Sequence, residues 1–281
     1  MAFRLRSSIL LGRPHGFPFD LPPFCNESPI SDSGNDLAPF RVKICGVRSD
    51  RDVQACADAA ADAIGLNFYP RSVRYVDPAS DETISLNEAA IRHGIFRVGL
   101  FVNAPPDQVG GIARALKLDA IQFHGDETRA ELLRVLDAGF QVVRAIRLPT
   151  SPMTTEEIHS HLEPLWDLPI TFLFDADAGA AFGGGGKKLH WPSIAAWASR
   201  FGSRARNGWV LAGGLEPESV AEAIRHSTAG SVDVASGVES SRGQKSAELI
   251  RRFVNATRVG GVDAMSRLSE TLPTAEKHPT E

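Results

Sequence analysis

The chain has 281 residues, 43% of them hydrophobic and 23% charged, a length and balance ordinary for one α/β domain with a large buried core. Its formal net charge of −4 and pI near 6.1 exclude a broad electrostatic attraction for nucleic acid or an anionic membrane surface. No apolar run approaches the roughly 20 residues that a membrane-spanning helix needs.

In chain order, residues 1–40 differ from the rest. Pro14, Pro18, Pro22, Pro23, Pro29 and Pro39, with Gly, Ser and Asn between them, rule out a periodic helix. The opening MAFRLRSSILLGR is basic and free of acids, like a targeting peptide, but has no clear small-residue cleavage site. The reading adopted is a disordered extension, or an upstream start. A barrel domain is expected over 41–258, and a polar, flexible tail with Pro273 and Pro279 over 259–281.

Between these ends, short apolar or β-branched runs alternate with helical stretches. The runs at 41–45, 63–68, 97–102, 120–123, 141–146, 170–174, 209–212 and 231–235 make eight candidate strands. Helices are expected at 50–60, 84–92, 106–116, 127–138, 155–162, 192–200, 216–226 and 246–257. Prolines at 106 and 217 suit helix starts, where a missing N–H costs little. Alternating strand and helix with short links implies a parallel sheet covered by helices. Eight such units in this length imply a single closed (βα)8 TIM barrel. The competitor, an open doubly wound sheet for a dinucleotide, is weakened because no GxGxxG follows the first strand.

In such a barrel the chemistry sits at the C-terminal ends of the strands. The first run ends in Lys43-Ile44-Cys45-Gly46, so Cys45 is either a base or nucleophile at the mouth or a small buried hydrophobe. Cys56, within a helix, reads as packing, and Cys25 lies in the extension. Three cysteines without CxxC spacing argue against a disulfide framework or a zinc site and fit a reducing, cytoplasmic setting. After the second run come Arg71 and Arg74, either of which can pair with a substrate carboxylate or simply be surface charge. The fourth run ends in Gln122-Phe123-His124-Gly125, an amide and an imidazole near the rim, without the spacing of a metal site. The sixth leads into Asp175, a candidate acid, with Asp177 as its alternative. Gly183-Gly184-Gly185-Gly186-Lys187-Lys188 follows. This run can close over an anion or serve as a linker, but it is not a nucleotide-binding P-loop. The seventh and eighth runs end in Gly213-Gly214 and in Ala235-Ser236-Gly237, small residues where barrels of this kind hold a phosphate.

Together these strings resemble the phosphoribosylanthranilate isomerase family of tryptophan biosynthesis. They are Lys43-Ile44-Cys45-Gly46, Asn67-Phe68-Tyr69-Pro70 with Ser72 and Arg74, Val98-Gly99-Leu100-Phe101-Val102-Asn103, Gln122-Phe123-His124-Gly125, Asp175, the glycine run, Trp191, Ala212-Gly213-Gly214-Leu215 and Asp233-Val234-Ala235-Ser236-Gly237-Val238-Glu239. They occur in family order across 41–257. The resemblance implies an Amadori rearrangement of N-(5-phosphoribosyl)anthranilate to 1-(2-carboxyphenylamino)-1-deoxyribulose 5-phosphate. It implies Cys45 as general base, Asp175 as general acid, Arg74 on the anthranilate carboxylate, and Gly213, Gly214, Ser236 and Gly237 around the phosphate. Gln122 and His124 join the expected substrate-binding set. The chemistry only moves protons, so no cofactor or metal is required. The expected partner is the small phosphoribosyl substrate, with neither nucleic acid nor membrane, and the chain is a monomer or a homodimer.

The sequence departs from the family pattern at Leu189-His190-Trp191, where Phe-Asp-Trp is common, and at Ala235, where the first of two usual serines is missing. The alternatives are a dual-specificity or histidine-pathway phosphoribosyl isomerase and a non-catalytic phosphoribosyl-binding barrel. The histidine-pathway family carries an acid where this chain has Cys45.

Overall fold

A computed structural model of the chain describes residues 38–177, 187–202, 205 and 207–270. Cys25 and the glycines at 183–186 lie outside the described residues. Eight parallel strands close on themselves in sequence order: β1 (Val42–Cys45), β2 (Ala63–Asn67), β3 (Phe96–Phe101), β4 (Ala120–Phe123), β5 (Gln141–Leu148), β6 (Thr171–Ala176), β7 (Trp209–Leu211) and β8 (Val232–Val234). Closure is made by β1, which pairs with β2 on one side and β8 on the other. The helices are α1 (Asp50–Ala59), α2 (Asp81–Arg92), α3 (Pro106–Ala115), α4 (Arg129–Asp137), α5 (Thr155–Leu162), α6 (Trp191–Phe201), α7 (Val220–Ser227) and α8 (Ala247–Glu270). Among the described residues no helix is long and apolar enough to cross a membrane.

Local chemistry sets several of the boundaries. Ser49 caps α1 by accepting from the Asp52 amide, and Thr128–Glu131 and Thr154–Glu157 form reciprocal capping boxes on α4 and α5. Side-chain alternation along each strand then divides the core in two. One set (Ile44, Ile64, Ile121, Phe123, Phe172, Phe174, Leu211 among them) faces the helices. The other (Ala63, Val98, Ala120, Val143, Leu173, Val210) fills the barrel with Phe40 and Ala212. The inward parity continues up each strand. It therefore carries Cys45, two residues beyond Lys43, and Asp175, two beyond Leu173, to the mouth.

Several boundaries differ from the sequence reading. Phe40, assigned to the extension, is 4% exposed and belongs to the barrel interior, so the fold begins before residue 41. The helix after β7 starts at Val220, because Pro217, Glu218 and Ser219 form turns instead of a first helical turn. The last helix continues to Glu270, through the expected start of the tail. Gly260 is buried there, and a Cβ on it would meet the Ala221 Cα at 2.8 Å, so α8 crosses α7 at close range. A hairpin that the pattern did not reveal, β9 (Glu239–Ser241) and β10 (Gln244–Lys245), lies between β8 and α8.

Candidate active site

The strand ends meet at one cavity, open to solvent. Cys45, Arg74, Gln122, His124, Asp175, Gly213, Gly214 and Ser236, all expected from the sequence, line it. Gly237 does not. It sits behind the wall, where a Cβ would lie 1.9 Å from the Leu215 carbonyl oxygen, so it lets the turns after β7 and β8 pack backbone to backbone. Arg71 and Asp177 are exposed and outside the cavity lining, whereas Arg74 and Asp175 are in it.

Cys45 is 5% exposed and packs with Leu100 and Val102. Beneath it, Lys43 is fully buried and donates to Asp233 across the β1–β8 pair at 2.6 Å. Burial works against the Lys43 charge, yet Asp233 and then Cys45 hold its pKa above the ordinary lysine value. The Cys45 thiol is pushed up chiefly by burial. Lys43 opposes this, Asp233 adds to it, and Lys245 and Arg74 pull it back. Cys56 is likewise pushed up by burial, to about 12, which fits the packing role read from the sequence.

Arg74 reaches the cavity across Gly46, whose φ of +77° and missing side chain leave the path open; a Cβ there would be 2.4 Å from Arg74 Cδ. Its guanidinium is held by Glu239 through Nε at 2.6 Å and Nη2 at 2.8 Å. Glu239 also accepts from Lys245 Nζ at 2.9 Å and from the Gly243 amide at 3.0 Å. Burial alone would raise the Glu239 pKa, but Arg74, Lys245 and that amide outweigh it and hold the carboxyl at about 2.

Across the cavity, Asp175 Oδ1 accepts from the Ala176 amide at 2.9 Å. Its Oδ2 lies 3.2 Å from His124 Nε2, without the alignment of a hydrogen bond. Gln122 Nε2 and His124 Nδ1 are 3.2 Å apart. With the amide donating to Nδ1, the ring proton is assigned to Nε2, facing Asp175.

Sequence reasoning missed Lys43, Lys187 and Lys245. Lys43 sits mid-strand, Lys187 is an exposed residue of the cavity rim, and Lys245 comes from the unforeseen hairpin. The inward parity of Lys43 with Cys45 was the one available signal for the first. The departure at His190 is a packing change: it occupies the N-cap of α6, and its Nδ1 lies 2.9 Å from Ser193 Oγ.

The sequence model described as N-(5'phosphoribosyl)anthranilate (PRA) isomerase matches residues 42–256. The N-(5'-phosphoribosyl)anthranilate isomerase of Rubrobacter xylanophilus is 38% identical over 218 residues, covering 78% of this chain and 98% of the relative. That of Rhodospirillum rubrum is 39% identical over 225 residues, with coverage of 78% and 98%. The solved phosphoribosyl anthranilate isomerase from Thermotoga maritima superposes with a TM-score of 0.66 at 30% identity, covering 78% of this chain and 98% of that one. A second solved structure, of the isomerase in complex with reduced 1-(o-carboxyphenylamino)-1-deoxyribulose 5-phosphate, gives 0.63 at 29%, with coverage of 78% and 98%. Matched from its first barrel strand into its last helix, the chain belongs to the N-(5'-phosphoribosyl)anthranilate isomerase family of tryptophan biosynthesis.

Proposed function

We propose that this isomerase rearranges N-(5-phosphoribosyl)anthranilate with Cys45 as general base and Asp175 as general acid. The observation that carries the assignment is the placement of one thiol and one carboxyl group, from β1 and β6, on a single cavity beside the glycine turns after β7 and β8. The phosphate docks at Gly213, Gly214 and Ser236, where backbone amides receive an anion, with the Lys187 ammonium at the rim. The anthranilate carboxylate meets the Nη1 edge of Arg74, because Glu239 occupies Nε and Nη2.

Asp175 in its acid form donates a proton to the ribose ring oxygen. The C1–O bond breaks, and the nitrogen lone pair forms the protonated Schiff base. Asp175 is then a carboxylate, stabilised by the Ala176 amide and faced by the His124 Nε2 proton. The Cys45 thiolate removes the C2 proton, and the C–H electron pair becomes the enolamine double bond as the iminium nitrogen recovers its lone pair. Tautomerisation to the C2 ketone completes the rearrangement. Lys43, Lys245 and Arg74 surround the thiolate with positive charge.

The test is turnover of N-(5-phosphoribosyl)anthranilate followed by fluorescence, with the histidine-pathway substrate assayed in parallel. Turnover of the first that collapses in Cys45→Ser and in Asp175→Asn supports the assignment. Undiminished turnover in either variant removes that residue from the mechanism, and turnover of the second substrate broadens the specificity to both pathways.

A further inference from the structure

Glu239 holds a carboxylate whose acceptor capacity is used up inside the protein. An ionised carboxylate offers about four lone-pair sites. Here Oε1 takes Arg74 Nε and Lys245 Nζ, and Oε2 takes Arg74 Nη2 and the Gly243 amide. Its side chain is 4% exposed and absent from the cavity lining, so it neither meets substrate nor has a lone pair left for it.

Its partners belong to two different segments of the chain. Arg74 comes from the segment after β2. Lys245, with a side chain 1% exposed, donates a further hydrogen bond of 2.7 Å to the Ala235 carbonyl, in the turn after β8 that precedes Ser236. The hairpin also touches the Arg74 segment directly, since a Cβ on Gly243 would lie 3.1 Å from the Val73 carbonyl. One buried carboxylate and one buried ammonium therefore join the arginine after β2 to the anion-binding turn after β8. The substrate is itself a molecule with two anionic ends, a carboxylate and a phosphate.

We infer that Glu239 is a positioning residue, locked by Lys245 and the β9–β10 hairpin, that fixes the Arg74 guanidinium at a set distance from the phosphate turn. This rests on the proposed role of Arg74 in holding the substrate carboxylate. Without Glu239 the arginine side chain must be ordered at the moment of binding. Ordering one such rotamer-rich side chain costs an amount equivalent to roughly three- to tenfold in affinity. The effect passes through Arg74, so it vanishes when Arg74 is already gone.

A double-mutant cycle reads this directly. In the full-length protein, Glu239→Gln is expected to raise KM for N-(5-phosphoribosyl)anthranilate about tenfold, at the upper end of that cost, with kcat nearly unchanged. Arg74→Ala raises KM as well, and the double variant is no worse than Arg74→Ala alone. Losses in kcat/KM that multiply in the double variant, or a KM left unmoved by Glu239→Gln, overturn the inference. If Glu239→Gln does not fold, Glu239→Asp, which keeps the negative charge but shortens its reach to Arg74 Nε and Nη2, runs the same cycle against Arg74→Ala with the same two outcomes. Absence of turnover in the unmodified protein would instead sink the functional proposal on which the cycle depends.

Discussion

The two halves of the cavity are built on different terms. On the side of β1, β8 and the hairpin, charges are closed upon one another. Lys43 meets Asp233, Glu239 meets Arg74 and Lys245, and Lys245 meets the Ala235 carbonyl. On the side of β4 and β6, Gln122 Oε1 and His124 Nε2 are buried without hydrogen-bond partners among the described residues, and Asp175 faces His124 with poor alignment. Buried polar atoms are normally satisfied, so exceptions in a cleft mark groups held for a ligand or a moving proton. The saturated half reads as pre-organised scaffold around the proposed base, Cys45. The unsatisfied half reads as the place where the proposed protonation of the ring oxygen completes the hydrogen bonding.

The largest expected effects come from the two proposed proton-transfer groups themselves. Cys45→Ser and Asp175→Asn should each lower kcat by about 10²–10⁴-fold with little change in KM. The pH profile should separate the halves. Because burial pushes the Cys45 pKa up and the base must be thiolate, kcat/KM should climb as pH rises, with a midpoint above that of an ordinary thiol. A profile flat through that range would show that no thiolate is formed in the rate-determining step.

Next in size is a change in the backbone between the halves. Gly237→Ala puts a methyl group 1.9 Å from the Leu215 oxygen, and backbone cannot yield as a side-chain tip can. Overpacking of this kind costs about 1–3 kcal/mol, part of which should appear as displacement of the turn that holds Ser236. Inhibition by inorganic phosphate should weaken by about tenfold or more for a shift of that size. Unchanged phosphate inhibition would mean that the anion site does not depend on this contact. Smaller again is His124→Phe, which keeps a ring between Gln122 and Asp175 but removes the proton facing the carboxylate. A kcat loss of about tenfold with KM retained is expected, in the range of one charge-assisted hydrogen bond.

The same contrast explains what the sequence disclosed. The eight strands were legible because their apolar runs are short, β-branched and separated by capped helices. The two catalytic candidates were legible because a polar residue ending such a run has nowhere to go but the mouth. Residue pattern alone leaves Arg71 open beside Arg74, and only the resemblance names Arg74; the physical reason, the space above Gly46, appears in the structure. The saturated half was the less visible one. Lys43 and Asp233 are 190 residues apart, and their neutralising contact leaves no local pattern. The hairpin strands are three and two residues long, too short for alternation to register. A tail is expected from residue 259 because the sequence turns polar there, whereas α8 runs on past Gly260, whose missing side chain lets it pass close to Ala221 of α7.

The smallest effect tests the scaffold without touching turnover. Glu239 holds its proton only below about pH 2 in the folded chain, against an ordinary value of 4.5. A carboxyl whose folded pKa is depressed stabilises the fold above the unfolded value and loses that contribution as pH falls through the folded one. The Tm should therefore decline from about pH 4.5 toward pH 2 in the unmodified protein. In Glu239→Gln it should start lower at neutral pH and decline less steeply over the same interval. Other depressed acids, among them Glu131, Glu156 and Glu157, are exposed caps or surface partners that titrate alike in both proteins and so cancel in the difference. Two parallel curves would mean that the four donors around Glu239 give it no net hold on the folded state, and the saturated half would then be no firmer than the half that faces it.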